Sequence, residues 1–220
     1  GRVIFELEGV PEDIARAGDM GYRIKLLGVA QMTDQLQSEK LAYDFMVEQY
    51  TEKGNAGMIR KLQAAPVTLE NGVPAKYLKV RDKAMHQLGI GTMYNIKSVV
   101  KGIFLVSLQC RDYTLKEKFN LWRGKAQSGV SPFWDETLTT NLAEELPELK
   151  LPVYLFEGIY DFTCSYKLAK SYFLKLKAPV KGFYIFEHSA HSPLYEEPEK
   201  MQQLMNVDVL NETITLADFN

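Results

Sequence analysis

Four stretches of the sequence carry the apolar pattern of β-strands. Residues 3–8, VIFELE, alternate between apolar and acidic positions, and residues 22–32, YRIKLLGVAQM, alternate and then become apolar. Residues 153–157 and 182–186 are short apolar runs that follow one another near the C-terminus. A period of two residues is typical of a half-buried strand, and a continuous apolar run is typical of a covered one. The pattern therefore predicts strands at both ends of the chain.

Helical spacing fills the middle of the chain, from residue 34 to residue 148. One helix is predicted over residues 34–53, where Gly54 supplies its stop, and another is predicted between Pro74 and Gly89. Thr114 stands three residues before Glu117, the spacing of a capping box, which predicts a helix from residue 115 onward. The positions predicted to face inward are Leu36, Leu41, Phe45 and Met46 on the first helix, and Tyr77, Val80, Arg81, Ala84, Met85 and Leu88 on the second.

The last third of the chain alternates between strands and helices. Helices are predicted over residues 165–176 and 196–205, each directly after one of the two C-terminal strands. Strand, helix, strand, helix in this order implies parallel pairing with right-handed crossovers. The expected fold class is α/β, with a small, mainly parallel sheet, flanking helices and a large helical insertion.

Composition and charge exclude several classes of protein. The 220 residues are 46% hydrophobic and 25% charged, which is ordinary for a globular domain, and the formal charge of −2 predicts no general attraction to nucleic acid or to a membrane. The chain shows no signal-peptide pattern, and its two cysteines lack the spacing of a disulfide framework or a zinc site. We expect a cytoplasmic protein without a cofactor.

Two loops follow the C-terminal strands and carry titratable side chains. The first is Gly158-Ile-Tyr-Asp161, and the second is Glu187-His-Ser-Ala-His191. Ligands of open α/β sheets bind beyond the carboxyl ends of the strands, so Asp161 and a histidine of the second loop are expected to meet there. A carboxylate beside an imidazole fixes the tautomer of the ring and stabilises the imidazolium that forms when the ring takes a proton.

The stretch LPVYLFEGIYDFTCSYKLAKSYFLKLKAPVKGFYIFEHSAHSPLYEEPEKMQQLM resembles the C-terminal part of an α/β-hydrolase of the proline iminopeptidase-like group. The resemblance implies that Asp161 is the acid and His191 the base of a catalytic triad. It also implies a partial α/β-hydrolase fold, with N-terminal strands in residues 1–33, a helical cap in residues 34–148 and the C-terminal core in residues 149–220. Residues 27–205 are covered by this resemblance.

The nucleophile of that family is missing from the sequence. No Gly-x-Ser-x-Gly elbow occurs, and the serines that come nearest to this pattern, Ser128 and Ser131, break its spacing. No His-Gly loop that would supply oxyanion-hole amides occurs either. Both parts precede the cap in the family, so we expect a truncated chain whose sheet exposes an edge. Exposed edges favour association, which predicts a homo-oligomer, or completion by an N-terminal fragment.

Two functions are compatible with these residues. The first is hydrolysis of an ester or amide, such as the N-terminal peptide bond of a short peptide, once a serine nucleophile is supplied. The alternative is an inactive module that binds a partner or associates with itself. The candidates for lining an apolar substrate pocket under the cap are Trp122, Phe133, Trp134 and Tyr160, although aromatic residues at helical spacing more often belong to a core.

The other histidines and the cysteines have simpler interpretations. His188 is expected to face solvent, and His86 to lie on the surface or in the packing of a cap helix. A metal site formed by Glu187, His188, His191 and Asp161 is an alternative, but no metal-binding spacing supports it. Cys164 lies near a helix start, where a thiol can be reactive, but a packed thiol is the expectation. Cys110 is also expected to be a buried small apolar residue.

Overall fold

The sheet is small and entirely parallel. The structure, a computed structural model, describes residues 25–98, 100–128 and 132–220; the strand predicted over residues 3–8 and residues 22–24 of the second predicted strand lie outside these ranges. Three strands pair in the order β1 (Leu26–Val29), β2 (Val153–Gly158) and β3 (Lys181–Phe186). The predicted α/β class with a small parallel sheet, flanking helices and a large helical region is confirmed.

β1 is shorter than its sequence pattern predicts. It ends at Val29 because Ala30 takes a positive φ of 52°, which turns the chain out of the strand. The amide of Ala30 still donates to the carbonyl of Phe156, so the turn leaves from a paired position. The chain then enters the helical region directly at the carboxyl end of the sheet.

β2 lies at the centre, and its six residues are all buried. Alternate side chains of β2 and β3 pack on opposite faces of the sheet, as the period of two requires. One face packs against the helix that follows β2 and includes Val153, Leu155, Ala169, Tyr172, Phe173, Leu176 and Phe183. The other face packs against the C-terminal segment and includes Tyr154, Phe156, Tyr184, Phe186, Met201, Leu204 and Val209.

Helices occupy the middle of the chain, as the spacing predicts. Their bounds are α1 (Gln35–Glu52), α2 (Ala56–Gln63), α3 (Ala75–Leu88), a π-helical turn (Val100–Phe104) continuing into α4 (Leu105–Gln109), α5 (Leu115–Ser128), α6 (Pro132–Thr139) and α7 (Leu142–Glu145). The capping box is confirmed, since the Thr114 amide donates to Glu117 Oε2 at 2.8 Å and the Glu117 amide donates to Thr114 Oγ1 at 3.3 Å. No helix of the described ranges has both the length and the apolarity needed to cross a membrane.

The inward face of α1 differs from the prediction. Of the four residues expected to face inward, Met46 is buried, but Leu36, Leu41 and Phe45 are only partly buried. The buried face of the helix instead includes polar side chains near its N-terminus, Gln35, Ser38 and Glu39. They are buried because neighbouring segments supply their hydrogen-bond partners, which an apolar pattern does not reveal.

The C-terminal segment covers the outer edge of β3. Helix α8 (Tyr166–Lys175) precedes β3, and α9 (Pro193–Glu196), α10 (Pro198–Leu204) and a π-helical turn (Met205–Val209) follow it. The single helix predicted over residues 196–205 is therefore interrupted, since the chain leaves helical geometry at Glu197 and Pro198 starts a new helix. Near the end of the chain, the Asp218 amide donates to the Phe183 carbonyl, and Asp218 Oδ2 accepts from the Ile185 amide.

Candidate active site

Asp161 and His191 meet at the carboxyl end of the sheet. His191 Nδ1 lies 2.9 Å from Asp161 Oδ2, and the aspartate side chain is fully buried while the histidine side chain is 15% exposed. The other oxygen, Oδ1, accepts the amides of Thr163 at 2.7 Å and Cys164 at 3.0 Å. A carboxylate only accepts hydrogen bonds, so a contact with the carboxylate form of Asp161 requires the proton on Nδ1. The arrangement fixes the ring orientation of His191 and favours the Nδ1–H tautomer.

The segment after α3 touches both loops. The Phe162 amide donates to the Ile90 carbonyl, and the His191 amide donates to the Gly91 carbonyl, each at 3.3 Å. The Phe162 ring also stacks on Phe45 of α1, with centroids 4.5 Å apart. Two consecutive carbonyls therefore connect the loop that contains Asp161, residues 158–165, and the loop that contains His191, residues 187–191. We call them the acid loop and the base loop, after the roles that the family resemblance implies.

Gly158 allows the two loops to cross in contact. A Cβ atom at this position would overlap the carbonyl oxygens of Ser189 and Ala190 and would lie 2.6 Å from the carbonyl carbon of Ser189. Next to Gly158, the Ile159 amide donates to the Phe186 carbonyl at 3.0 Å, which holds the start of one loop against the end of β3. Only a residue without a side chain fits between β2 and the base loop here.

Two acidic residues that follow the base loop hold its backbone. Glu196 Oε2 accepts the amide of Ala190 at 2.8 Å, and its Oε1 accepts the amide of Tyr94 at 2.7 Å. Glu197 Oε1 accepts the amide of His188 at 2.9 Å and the hydroxyl of Ser189 at 2.7 Å. The sequence pattern suggests only a favourable position of these acids at a helix N-terminus, and no signal in one sequence reveals these contacts. Both carboxylates stabilise the loop that carries His191.

A second buried carboxyl group lies close to Asp161. Glu157 is fully buried at the end of β2; its Oε1 accepts the amide of Gln31 at 2.8 Å, and its Oε2 has no partner among the described residues. Burial and the nearby charge of Asp161 raise the pKa of Glu157 well above its ordinary value. Both effects favour the neutral form of Glu157, and a neutral Glu157 would keep a second negative charge away from Asp161.

We expect Glu157→Gln to be more stable than the parent chain at neutral and alkaline pH. A raised carboxyl pKa contributes stability that is present below the ordinary value of 4.5 and is lost as the pH rises through the folded-state pKa. Glutamine keeps the acceptor oxygen for Gln31 but does not ionise, so the variant should lose this part of the pH dependence. Urea unfolding across the pH range measures it. Glu187→Gln, at an exposed neighbouring position, is the control, and parallel curves for Glu157→Gln and the parent would contradict the prediction.

The remaining histidines and the cysteines lie as follows. His188 is exposed, as expected. His86 is buried, and its Nδ1 lies 2.7 Å from the Asp82 carbonyl of the same helix, so the expected packing role is also confirmed.

Cys164 is buried as expected. Its burial, together with the nearby Asp161 and Glu157, raises the pKa of its thiol well above the ordinary value. A neutral thiol is a poor nucleophile. The prediction for Cys110 is wrong: it is partly exposed, because it ends a short helix with little covering it.

The four aromatic candidates for a substrate pocket have different neighbours. Tyr160 belongs to the acid loop and stacks on Tyr94, with centroids 4.1 Å apart. Trp122 donates its indole N–H to Ser107 Oγ at 2.8 Å and packs edge-on against Phe104. Phe133 is 41% exposed and borders a cleft beside β1 that Leu26 also lines. Trp134, on the same helix as Phe133, is partly buried. Of the four, Tyr160 is the one placed in the acid loop.

A cleft of about 440 Å³, bordered by Asp161, lies between α1 and the start of α8. Phe45, Ile159 and Phe162 give it apolar walls, and Asp44, Glu48 and Lys167 place charges around it. Within the described part of the chain, no three histidine, cysteine, aspartate or glutamate side chains are grouped so as to hold a metal ion. The chemistry that the described side chains assemble is that of an oriented imidazole.

Comparison with known proteins finds hydrolases. No family model matches the chain. A stretch of 64 residues is 36% identical to the probable aminopeptidase YbaC of Bacillus subtilis strain 168. It makes up 29% of this chain and 20% of that protein, so the match spans about a fifth of the relative's length.

Two solved structures are also similar. One is an esterase from Exiguobacterium antarcticum, with a TM-score of 0.33 and 16% identity over 50% of this chain and 47% of the esterase. The other is an α/β fold family hydrolase from Bacillus anthracis strain Sterne, with a TM-score of 0.29 and 19% identity over 57% of this chain and 54% of that protein. About half of each solved chain is matched.

Proposed function

We propose that this chain supplies the acid and the base of an α/β-hydrolase-type serine hydrolase, which cleaves an ester or amide bond with a nucleophile from outside these 220 residues. The observation that supports the proposal is the 2.9 Å contact between His191 Nδ1 and Asp161 Oδ2. The contact is made by two loops that leave the carboxyl ends of neighbouring parallel strands, where ligands of such sheets bind.

In the proposed reaction His191 acts as a general base and then as a general acid. Its Nε2 takes the proton of the serine hydroxyl while the oxygen attacks the substrate carbonyl, and Asp161 stabilises the imidazolium that forms. The ring returns this proton to the leaving alcohol or amine, which leaves an acyl group on the serine. Water then repeats the two proton transfers and releases the acid. Residues 34–148 act as the cap over this site.

The proposed substrate is the N-terminal peptide bond of a short peptide. The similarity to an aminopeptidase over 64 residues supports it, as does the resemblance of the two loops to the proline iminopeptidase-like group. The stacked pair of Tyr94 and Tyr160 offers an apolar, planar surface beside the acid loop. Esters with a small acyl group would use the same chemistry.

Complementation tests the proposal. The purified chain alone should not react with a fluorophosphonate probe, whereas a mixture with an N-terminal fragment of a serine hydrolase that carries a Gly-x-Ser-x-Gly elbow should be labelled on the fragment. His191→Ala should lower hydrolysis by the mixture roughly 100- to 10,000-fold, because general base catalysis is worth about that much. Asp161→Ala should also lower it.

His188→Ala is the matched control, since His188 lies three residues away and is exposed. It should leave labelling and hydrolysis unchanged. Equal activity of the His191→Ala mixture and the parent mixture would contradict the proposal.

A second candidate function is a self-associating module without catalysis. Among the described strands, β1 lies at one end of the sheet and pairs only with β2. Beside it lies a cleft of about 200 Å³ with a mainly apolar lining that includes Leu26, Leu142 and Leu155. An edge beside an apolar surface favours pairing with another chain. Two results together would favour this candidate over the hydrolase: a stable dimer in light scattering, and no reaction with the fluorophosphonate probe even in the complemented mixture.

A further inference from the structure

A buried polar network joins the cap helices to the acid loop. Glu39 of α1 is fully buried and binds Arg81 of α3, whose Nε lies 2.7 Å from Oε2 and whose Nη2 lies 2.6 Å from Oε1. Tyr77 of α3 donates its hydroxyl to Glu39 Oε2 at 3.1 Å. The pair is thus hydrogen-bonded on several sides inside the helical region.

Gln35 continues this network to the acid loop. Its Nε2 donates to Glu39 Oε1 at 2.9 Å and to the carbonyl of Thr163 at 3.0 Å, and its Oε1 lies 3.7 Å from Cys164 Sγ. A carboxylate only accepts hydrogen bonds, so the charged Glu39 requires the NH2 end of the Gln35 side chain to face it. This orientation points the carbonyl oxygen of Gln35 at the thiol of Cys164.

The two residues that Gln35 contacts, Thr163 and Cys164, are also the residues whose amides bind Asp161. The amides of Thr163 and Cys164 both donate to Asp161 Oδ1, while their carbonyl and thiol groups face α1. Ser38 adds a further anchor, because its hydroxyl accepts the amide of Ser165 at 3.1 Å. One side of this turn therefore binds the acid, and the other side binds the first turns of α1.

The cost of this arrangement argues for a positioning role. A buried ion pair adds little stability compared with apolar residues of the same volume, since both charges lose their hydration. A network that is buried, charged and directed at one loop instead specifies the geometry of that loop. We propose that Gln35, oriented by Glu39 and Arg81, is a positioning residue for Asp161; this inference rests on the proposed function.

The tautomer of His191 tests the inference without any need for catalysis. Neutral histidine in water favours the proton on Nε2, whereas the contact with Asp161 places it on Nδ1. Long-range proton–nitrogen correlation spectra of the neutral ring report which nitrogen bears the proton, and Asp161→Ala identifies the signal that depends on the acid. We expect Nδ1–H in the parent chain and a shift toward Nε2–H in Gln35→Met, which keeps the side-chain length but donates nothing.

Tyr50→Phe is the matched control. The Tyr50 hydroxyl is buried in the same helical region and binds the Ala84 carbonyl at 2.9 Å and Gln87 Oε1 at 3.0 Å, away from the acid loop. Its loss should lower stability without changing the tautomer of His191. Gln35→Asn, which is one methylene too short to bridge Glu39 and Thr163, provides a second variant if Gln35→Met does not fold, and the same shift is expected.

The outcomes separate this inference from the proposed function. A parent chain in which His191 is not held as Nδ1–H, or in which Asp161→Ala changes nothing, would contradict the acid–base pair itself. A parent tautomer that depends on Asp161 but is unchanged in both Gln35 variants would overturn the positioning role and leave the pair intact. A shift in Tyr50→Phe as large as that in Gln35→Met would also overturn it, because general loosening of the cap would then explain the result.

Discussion

Replacing Gly158 with alanine should destabilise the chain by about 3 kcal/mol or more, at the upper end of the cost of overpacking a core. The methyl group would meet backbone atoms of Ser189 and Ala190, which cannot rotate away as a side chain can. The base loop must then move away from β2, and His191 moves with it. Urea unfolding measures the stability, and the tautomer of His191 reports whether the contact with Asp161 survives.

Gly57→Ala is the matched control for this substitution. Gly57 lies in helix α2, is exposed, and an added Cβ would meet only Asn55 Oδ1 at an ordinary distance of 3.7 Å. Alanine is favoured over glycine inside a helix by up to about 1 kcal/mol, so this variant should be as stable as the parent or more so. A Gly158→Ala chain of parent stability would show that the two loops do not cross as closely as described.

Replacing Arg81 with methionine should cost about 3–5 kcal/mol, the typical penalty for leaving one partner of a buried ion pair without the other. Glu39 is fully buried, and the arginine side chain that neutralises it is 12% exposed. The double variant Glu39→Gln, Arg81→Met removes the stranded charge and should recover much of the loss. Chemical denaturation of the parent, Arg81→Met, Glu39→Gln and the double variant completes the double-mutant cycle.

The exposed pair of Lys40 and Asp44 on the same helix provides the contrast. Their side chains are 29% and 53% exposed, so solvent screens the attraction. Lys40→Met should change the free energy of unfolding by no more than about 0.5 kcal/mol. Equal effects of Lys40→Met and Arg81→Met would contradict the buried character of the network.

The sequence reveals those parts of the fold that depend on local pattern. β2 and β3 are apolar runs with strand length, and the helix between them has clear amphipathic spacing, so their order alone predicts parallel pairing. The meeting of Asp161 and His191 follows from the same topology, since both loops leave one end of one sheet. The roles of acid and base stay predictions from the family resemblance.

The parts that the sequence does not reveal depend on partners far along the chain. Gln35 and Glu39 look like solvent-facing residues of α1, and their burial makes sense only with Arg81 and Thr163 in place. Glu196 likewise has the sequence position of an acidic residue at a helix start, and the sequence does not reveal its contacts with Ala190 and Tyr94. A hydrophobic pattern predicts which apolar residues are buried, but it does not predict which polar groups form hydrogen bonds with each other.

The C-terminal residues cover one edge of the described sheet. Asp218 and Phe219 occupy the hydrogen-bonding groups of Phe183 and Ile185, so β3 offers no free ladder to a neighbour at these positions. Among the described strands, β1 is the one whose outer edge has no partner strand, so a strand from another molecule would join there. Two copies that paired through this edge would each cover the β1 of the other and form a closed dimer, whereas a sheet open at both ends can grow into a fibre.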